Sequence, residues 1–127
     1  MLCVKGKVSS GSGEGVKFIE IPWVRKQILE KLGFVPHPGT LNIKLTEGIV
    51  KFKMLKKAKT IEILPAKGFC RGKCFNAYFI NNLKCAIVIP EVENYPENII
   101  EVIAPINLRE KFNLKDGDVV DVKIMFR

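Results

Sequence analysis

Short runs of alternating hydrophobic and polar residues make up most of the chain, with glycine, proline and asparagine between them. Alternation of this kind is typical of β-strands that bury one face, because successive side chains point to opposite sides. The pattern therefore predicts a compact, mainly β domain. The predicted strands are a first run with Leu2, Val4 and Val8 on one face, then Lys17–Ile21, Thr40–Leu45, Thr60–Leu64, Cys74–Ile80, Leu83–Ile89, Ile99–Ile103 and Val119–Phe126.

Two segments show helical spacing instead. Pro22–Leu32 is predicted to be the main helix, with Pro22 suited to its first turn and Gly33 to its C-terminal cap. Pro105–Phe112 is predicted to be a second, short helix. The apolar face of the main helix would consist of Val24, Ile28, Leu29 and Leu32.

Two dipeptides are predicted to turn the chain between strands. Asn81-Asn82 separates two predicted strands, and asparagine tolerates the positive φ angles of a hairpin turn. Asp116-Gly117 precedes the last predicted strand.

The length and composition of the chain fit one small domain. With 127 residues and 47% hydrophobic content, we expect a single domain over residues 1–127 with one core. The longest uncharged apolar stretch, Cys85–Pro90, is far too short to span a membrane, and no signal segment opens the sequence. We expect a cytoplasmic protein, a monomer, without a membrane partner.

The four cysteines are expected to be reduced thiols, because disulfide frameworks belong to secreted chains. Cys70 and Cys74 have a loose zinc-ligand spacing, but a second ligand pair is missing and the only histidine is His37. We therefore favour free thiols over a structural zinc site. The remaining cysteines are Cys3 and Cys85.

The net charge of +8 indicates a surface that attracts polyanions, which include nucleic acid, nucleotide phosphates and anionic membranes. The densest basic cluster is broken by apolar residues, so it is compatible either with a solvated face or with contact to a polyanion. Charge alone does not choose among these. The cluster consists of Lys51, Lys53, Lys56, Lys57 and Lys59.

The glycine-rich segment Gly11–Gly15 is placed between two predicted strands. Three glycines allow backbone amides to approach an anion without hindrance from Cβ atoms, so the loop is either a phosphate cradle or a simple hairpin. It is not a Walker loop, because Lys17 is not followed by Ser or Thr and a strand is predicted after it. It also lacks the last glycine of the dinucleotide fingerprint, where Val16 stands.

Thr40 and Asn42 carry hard oxygen atoms two residues apart, so on a strand they would face the same side. Such a pair can share a Mg²⁺ ion, which prefers a few protein oxygens together with water and substrate phosphates. The same pair also fits an ordinary surface position beside a turn. The preceding Pro38-Gly39 fixes the start of the strand and favours a built site.

Two charged residues near the end of the chain are further candidates. Glu101 stands within the apolar run Ile99–Ala104, where it either lines a cavity or alternates outward to solvent. In a cavity it could accept a hydrogen bond or a proton. Arg109 follows the predicted helix start at Pro105, where a guanidinium and backbone amides can meet phosphate, or it is a surface charge beside Glu110.

Five short segments, taken together in their order and spacing across residues 8–122, resemble the archaeal CTP-dependent riboflavin kinase family. Between residues 46 and 84 the resemblance adds only Leu64–Gly68. The five segments are Gly11–Gly15, Pro38–Asn42, Ile99–Pro105, Leu108–Glu110 and Leu114–Asp118.

This resemblance implies a cradle-loop β-barrel and a reaction in which the riboflavin 5′-hydroxyl attacks the γ-phosphate of CTP, giving FMN and CDP with Mg²⁺ assisting. Thr40 and Asn42 would hold the metal, and Glu101 the ribityl end of the flavin. Glu101 is also the candidate general base. The cytidine nucleotide would be held by the loop Gly11, Ser12, Gly13, Glu14, Gly15 and Val16 and by the segment Ile106, Asn107, Leu108 and Arg109.

The sequence departs from the family at one expected flavin contact. The family has a threonine where this chain has Glu93, directly before Asn94-Tyr95. Glu93 could accept a hydrogen bond from the flavin, but its charge would repel a phosphorylated product unless a metal or a lysine offsets it.

The rival hypothesis is a basic β-barrel that binds nucleic acid. A DNA-binding barrel has no evident need for Thr40, Asn42 and Glu101 together, and the lysine cluster lacks the exposed aromatic residues of a stacking platform. We therefore expect small-molecule partners, CTP/CDP and riboflavin/FMN, and no nucleic acid. A structural or interaction module would bind neither ligand.

Overall fold

The computed structural model describes residues 2–10, 14–46, 61–63, 72–91 and 98–125. Within them the chain forms seven β-strands, three α-helices and a 3₁₀ turn at Ile80–Asn82. The strands are β1 (Leu2–Ser9), β2 (Leu41–Leu45), β3 (Ile61–Ile63), β4 (Gly72–Tyr78), β5 (Lys84–Pro90), β6 (Ile99–Ile103) and β7 (Val119–Ile124). The helices are α1 (Glu14–Glu20), α2 (Pro22–Leu32) and α3 (Leu108–Lys111).

The strands form one sheet in the order β3-β4-β5-β6-β2-β1-β7, and every strand pairing in it is antiparallel. Because β7 also pairs with β4, six of the strands close into a barrel and β3 extends it beside β4. The predicted mainly β barrel is thus confirmed.

Two hydrophobic clusters stabilise the fold, one on each face of the sheet. Alternate residues of each strand, such as Val4 and Val8 of β1 and Ile100 and Val102 of β6, fill the barrel interior. The intervening residues of β4, β5 and β6, such as Val88 and Ile103, pack outside against α1 and α2. This second cluster places the two helices over the outer face of the sheet.

Helix α2 has the predicted bounds. Pro22 occupies its first turn, and Gly33 ends it in the left-handed region at φ 85°, donating its backbone N–H to the carbonyl of Leu29. Val24, Ile28 and Leu32 are buried as predicted, but Leu29 is 48% exposed. The apolar face of the helix is therefore narrower than its sequence suggests.

The strand predicted at Lys17–Ile21 is wrong, because this segment contains helix α1 and the bend that joins it to α2. Phe18 and Ile19 are adjacent and both buried in the outer cluster. Neighbouring residues of a strand point to opposite faces, whereas on a helix they can share one broad buried face. The element that follows β1 among the described residues is therefore a helix rather than a strand, contrary to expectation.

The predicted turns are confirmed, and the second helix is shorter than expected. Asn81 and Asn82 adopt positive φ angles of 57° and 58° in the β4–β5 hairpin, and Gly117 has a φ of 94° before β7. Helix α3 covers only Leu108–Lys111 of the segment predicted to be helical. Among the described residues, no helix is long and apolar enough to cross a membrane.

Candidate functional site

Three polar side chains lie in a row across neighbouring strands. Ser9 of β1 is directly opposite Asn42 of β2, and Asn42 is directly opposite Glu101 of β6. The next residue in the row is Val88 of β5, which belongs to the outer hydrophobic cluster. Because directly opposed residues share a face of the sheet, the polar row lies on the side that the helices cover.

Glu101 is buried in the sheet, so the solvent-facing interpretation is wrong. Its side chain is 1% exposed. Thr40, directly before β2, donates a hydrogen bond from Oγ1 to Oε1 of Glu101 over 2.6 Å. A buried carboxylate is costly unless it accepts hydrogen bonds, and this contact supplies one. Thr40, Asn42 and Glu101 are thus brought together from two distant parts of the sequence.

Ser9 was not a candidate from the sequence, because a serine at the end of a strand carries no distinctive pattern. Its hydroxyl oxygen is buried and has no hydrogen-bond partner within the described part of the chain. Buried hydroxyls are usually satisfied, so the row contains an oxygen that water or a ligand could satisfy.

A pocket of about 170 Å³ opens at Thr40, the hydrogen-bond partner of Glu101. Thr40 contributes to one wall, and the segment 106–109 contributes to the other. The structure therefore joins a candidate metal ligand and the candidate nucleotide segment in one cavity. Its lining includes His37, Thr40, Val102, Ala104, Asn107 and Arg109.

Arg109 lies at the edge of the pocket in an ion pair. Its Nη2 is 2.6 Å from Oδ1 of Asp116 and also donates to the backbone carbonyl of Ser9 over 3.4 Å. Ser10 donates to the other carboxylate oxygen of Asp116 over 2.9 Å. The hydrogen bonds from Arg109 and then Ser10 lower the pKa of Asp116, so this carboxylate is charged at neutral pH.

One backbone amide beside Arg109 is already used within the protein. Asn107 caps helix α3 with its side-chain oxygen, which accepts the backbone N–H of Glu110 over 3.2 Å. That amide is therefore occupied within the protein, and the helix is only four residues long. The guanidinium of Arg109 is the cationic group that this segment brings to the pocket, and the role of the other backbone amides stays a prediction.

The remaining candidates are described only in part. Glu14 and Gly15 lie in helix α1 rather than in a loop, and Val16 is half-buried on the same helix. Outside the described residues lie Gly11, Ser12, Gly13, Glu93, Cys70, the lysine cluster Lys51–Lys59 and the segment Leu64–Gly68.

Cys74 and Cys85 are buried free thiols, as expected, and burial raises the pKa of each to about 12. Within the described ranges, no group of three or more His, Cys, Asp or Glu side chains is arranged to hold a metal. A cation at the polar row would therefore rely on hydroxyl and amide oxygens, one carboxylate, and oxygens from elsewhere.

These features define a class of protein: a small closed antiparallel β-barrel whose pocket is lined by an arginine and by a threonine that is hydrogen-bonded to a buried carboxylate. A family model named CTP-dep_RFKase, described as a domain of unknown function (DUF120), matches residues 8–124. The chain belongs to this CTP-dependent riboflavin kinase family.

Curated relatives from three archaea carry the name riboflavin kinase. The one from Pyrobaculum aerophilum is 42% identical over 127 residues, covering 94% of this chain and 59% of the relative. Those from Methanosarcina barkeri and Archaeoglobus fulgidus are 41% and 42% identical, covering 98% and 96% of this chain. The chain spans 57% and 54% of their lengths, so it corresponds to little more than half of each relative.

Proposed function

We propose that this chain is a riboflavin kinase that transfers the γ-phosphate of CTP to the 5′-hydroxyl of riboflavin, with Mg²⁺ assisting. The observation that carries the proposal is the hydrogen bond from Thr40, which lines the same pocket as Arg109, to the buried carboxylate of Glu101. Family membership and the names of the relatives support the same reaction.

In this reaction the riboflavin 5′-oxygen forms a bond to the γ-phosphorus while the bond from that phosphorus to the β–γ bridging oxygen breaks. CDP leaves with the bonding electron pair, and the hydroxyl proton passes to Glu101. Phosphoryl transfer needs positioning and charge neutralisation more than covalent catalysis by the protein. Glu101 can hold the hydroxyl in place because its own carboxylate is buried and hydrogen-bonded.

Thr40 and Asn42, which both lie next to Glu101, fit a magnesium ion. Thr40 has a single hydroxyl hydrogen, which it donates to Glu101, so the lone pairs of its oxygen are left for a cation. Asn42 lies opposite Glu101 in the sheet and offers an amide oxygen of the kind that Mg²⁺ accepts. When bound there, the ion would neutralise charge on the phosphates of the nucleotide. Few protein oxygens are needed, because substrate phosphates and water complete the shell.

The nucleotide is assigned to the segment 106–109 and to the loop that ends in helix α1. Arg109 offers a planar cation at the pocket edge, which suits a phosphate group. Ser10, the last described residue before that loop, is tied to Asp116, which itself binds Arg109. This connection links Ser10 to Arg109 through Asp116, which supports the assignment of both segments to one ligand. Flavin contacts are assigned to Glu101 and, outside the described residues, to Glu93.

The experiment that tests this function is FMN formation by the 127-residue chain from riboflavin and Mg²⁺, with CTP, ATP, GTP and UTP compared as donors. Product is followed by chromatography, and a parallel reaction contains EDTA in excess over Mg²⁺. We expect FMN chiefly with CTP and none after chelation. FMN formation with all four donors alike would overturn the CTP assignment but keep the kinase.

No FMN with any donor would overturn the proposed function for this chain. The basic composition then predicts salt-sensitive retention on DNA, and a binding experiment with a labelled duplex at two salt concentrations tests that alternative.

A further inference from the structure

Asp116 is the centre of a hydrogen-bonded group that joins three parts of the chain. One of its carboxylate oxygens accepts from Arg109 of α3 over 2.6 Å, and the other accepts from Ser10 over 2.9 Å. Ser10 and Asp116 are separated by 106 residues, so only the fold brings them together. We call Ser10, Arg109 and Asp116 the arginine clamp.

The backbone around Asp116 is held independently of these side chains. Gly117 donates its backbone N–H to the carbonyl of Val8 over 2.8 Å, and Val8 donates to the carbonyl of Asp118 over 2.8 Å. The side chain of Asp118 accepts the backbone N–H of Lys115 over 2.8 Å, which closes the turn. Asp116 therefore sits on a turn fixed to β1, and its carboxylate is in place before any ligand binds.

The clamp contributes little to folding stability, because its charged side chains face water. The side chains of Arg109 and Asp116 are 39% and 58% exposed, and solvent screens ion pairs at such positions. Its effect must therefore be sought in the geometry that it imposes. An arginine side chain loses conformational entropy when it binds a ligand. A neighbouring residue that already holds the side chain in place reduces this entropic cost of binding.

The guanidinium held by the clamp still has donors to offer. Arg109 uses Nη2 both for its contact with Asp116 and for its contact with the backbone carbonyl of Ser9. A guanidinium carries five N–H groups, so within the described structure Nη1 and Nε remain for a ligand at the pocket. The paired aspartate also has its charge offset, which limits its repulsion of a phosphate.

We propose that Asp116, assisted by Ser10, is a positioning residue that holds the Arg109 guanidinium at the pocket edge for the phosphates of a nucleoside triphosphate. This inference rests on the proposed function and adds two residues that act through Arg109 rather than on the substrate. Its consequence is a nucleotide affinity that depends on a side chain outside the pocket lining.

The first test compares steady-state kinetics of FMN formation in the wild type, D116N and S10A. D116N preserves shape but removes the charge that holds the arginine. We expect its KM for CTP to rise about tenfold, the loss of one charge-assisted hydrogen bond, with kcat changed by less than about threefold. S10A should shift KM in the same direction by less. Unchanged or lower KM for CTP in D116N would overturn the proposal.

E110Q is the matched control, because Glu110 is an exposed carboxylate next to Arg109 in sequence and does not belong to the clamp. We expect its KM for CTP to stay within about twofold of the wild type, since removal of a screened surface charge has little effect. A rise in KM equal to that of D116N would show that general charge near Arg109, rather than the clamp, sets the affinity.

A double-mutant cycle tests whether Asp116 acts through the arginine. If it does, R109A and R109A/D116N bind CDP with the same affinity by calorimetry, because the second change has nothing left to position. Weaker CDP binding by R109A/D116N than by R109A would overturn the proposal. If wild type binds CDP without forming FMN, weaker CDP binding by D116N upholds the clamp while the kinase reaction fails. If wild type neither binds CDP nor reacts, both proposals fall.

Discussion

The hydroxyl of Thr40 and the carboxylate of Glu101 are joined by a 2.6 Å hydrogen bond across 61 residues of sequence. This contact fixes the direction of the single hydroxyl hydrogen of Thr40. It also satisfies one carboxylate oxygen of Glu101, which is 1% exposed. The candidate metal ligand and the candidate proton acceptor therefore support one another. Substitutions that keep the shape of each side chain can separate their roles.

We expect E101Q to lower kcat for FMN formation by about 10²–10⁴-fold, because an amide cannot accept the proton of the riboflavin hydroxyl. The amide oxygen can still accept the hydrogen bond from Thr40, so the fold should be retained. Chromatographic assay of FMN measures the first effect, and circular dichroism during heating measures the second.

The control for E101Q is E62Q, an identical change at an exposed position on β3. Its kcat should match that of the wild type. Full turnover by E101Q would show that Glu101 is not the proton acceptor.

Thr40 should determine how much Mg²⁺ the enzyme needs for half-maximal activity. T40V removes the hydroxyl but keeps the branched shape, so we expect about tenfold more Mg²⁺ for half-maximal activity, as one ligand is lost. It also deprives the buried carboxylate of Glu101 of a donor, which should lower the free energy of unfolding by about 1–3 kcal/mol. A magnesium titration at saturating CTP and a urea titration without metal measure the two effects.

T40S supplies the matched control, because it retains the hydroxyl and loses only a methyl group. Its magnesium curve should lie close to that of the wild type. A T40V curve that coincides with the wild-type curve would remove Thr40 from the metal site.

Much of the barrel could be predicted because its strands bury one face at a time. Val120, Val122 and Ile124 alternate with exposed residues in β7. In the same way, the spacing of apolar residues in α2 predicts where that helix begins and ends. Helix α1 was missed because two adjacent apolar residues in a short segment are compatible with a strand. Its packing against the outer face of the sheet, which sequence spacing does not reveal, decides its structure.

The site could be predicted only as separate residues. The fold brings the candidates Thr40, Asn42 and Glu101 together, but their proximity depends on the register between β2 and β6. Ser10 and Asp116 were not chosen as site residues, because nothing near either in sequence indicates that one binds the other. Long-range pairing of this kind follows from closure of the barrel rather than from a local pattern.

Gly72 should be essential for docking α1. A Cβ atom at this position would overlap the ring of Phe18, which is buried between α1 and the sheet. We expect G72A to lower the free energy of unfolding by about 1–3 kcal/mol, the usual cost of overpacking a core. Because α1 contains Glu14 and Gly15 of the glycine-rich segment assigned to the nucleotide, the KM for CTP should also rise. Urea unfolding and FMN kinetics measure the two effects.

The control is the double variant G72A/F18L, in which a smaller side chain makes room for the new methyl group. Its free energy of unfolding should exceed the value expected from adding the effects of the two single changes. Strict additivity would show that the ring of Phe18 is not what excludes a side chain at Gly72.

The buried thiols should be unreactive in the folded protein. Burial raises the pKa of Cys74 and Cys85 to about 12, whereas Cys3 is exposed. Only thiolates react rapidly with iodoacetamide, so at pH 8 peptide mass mapping should find Cys3 modified, and the other two only after urea is added. Modification of Cys74 or Cys85 at the rate of Cys3 in the native protein would contradict the buried arrangement.

The same pKa shifts predict how stability depends on pH. A thiol whose pKa is raised by folding favours the folded state fully below its ordinary pKa of 9.0, and this contribution is lost as pH rises toward 12. The unfolded chain releases these protons first, so the free energy of unfolding should fall progressively above about pH 9. In C85A, urea titrations between pH 8 and 11 should show a shallower fall than in the wild type. If the free energy of unfolding falls equally steeply with pH in C85A and in the wild type, Cys85 does not contribute to this pH dependence.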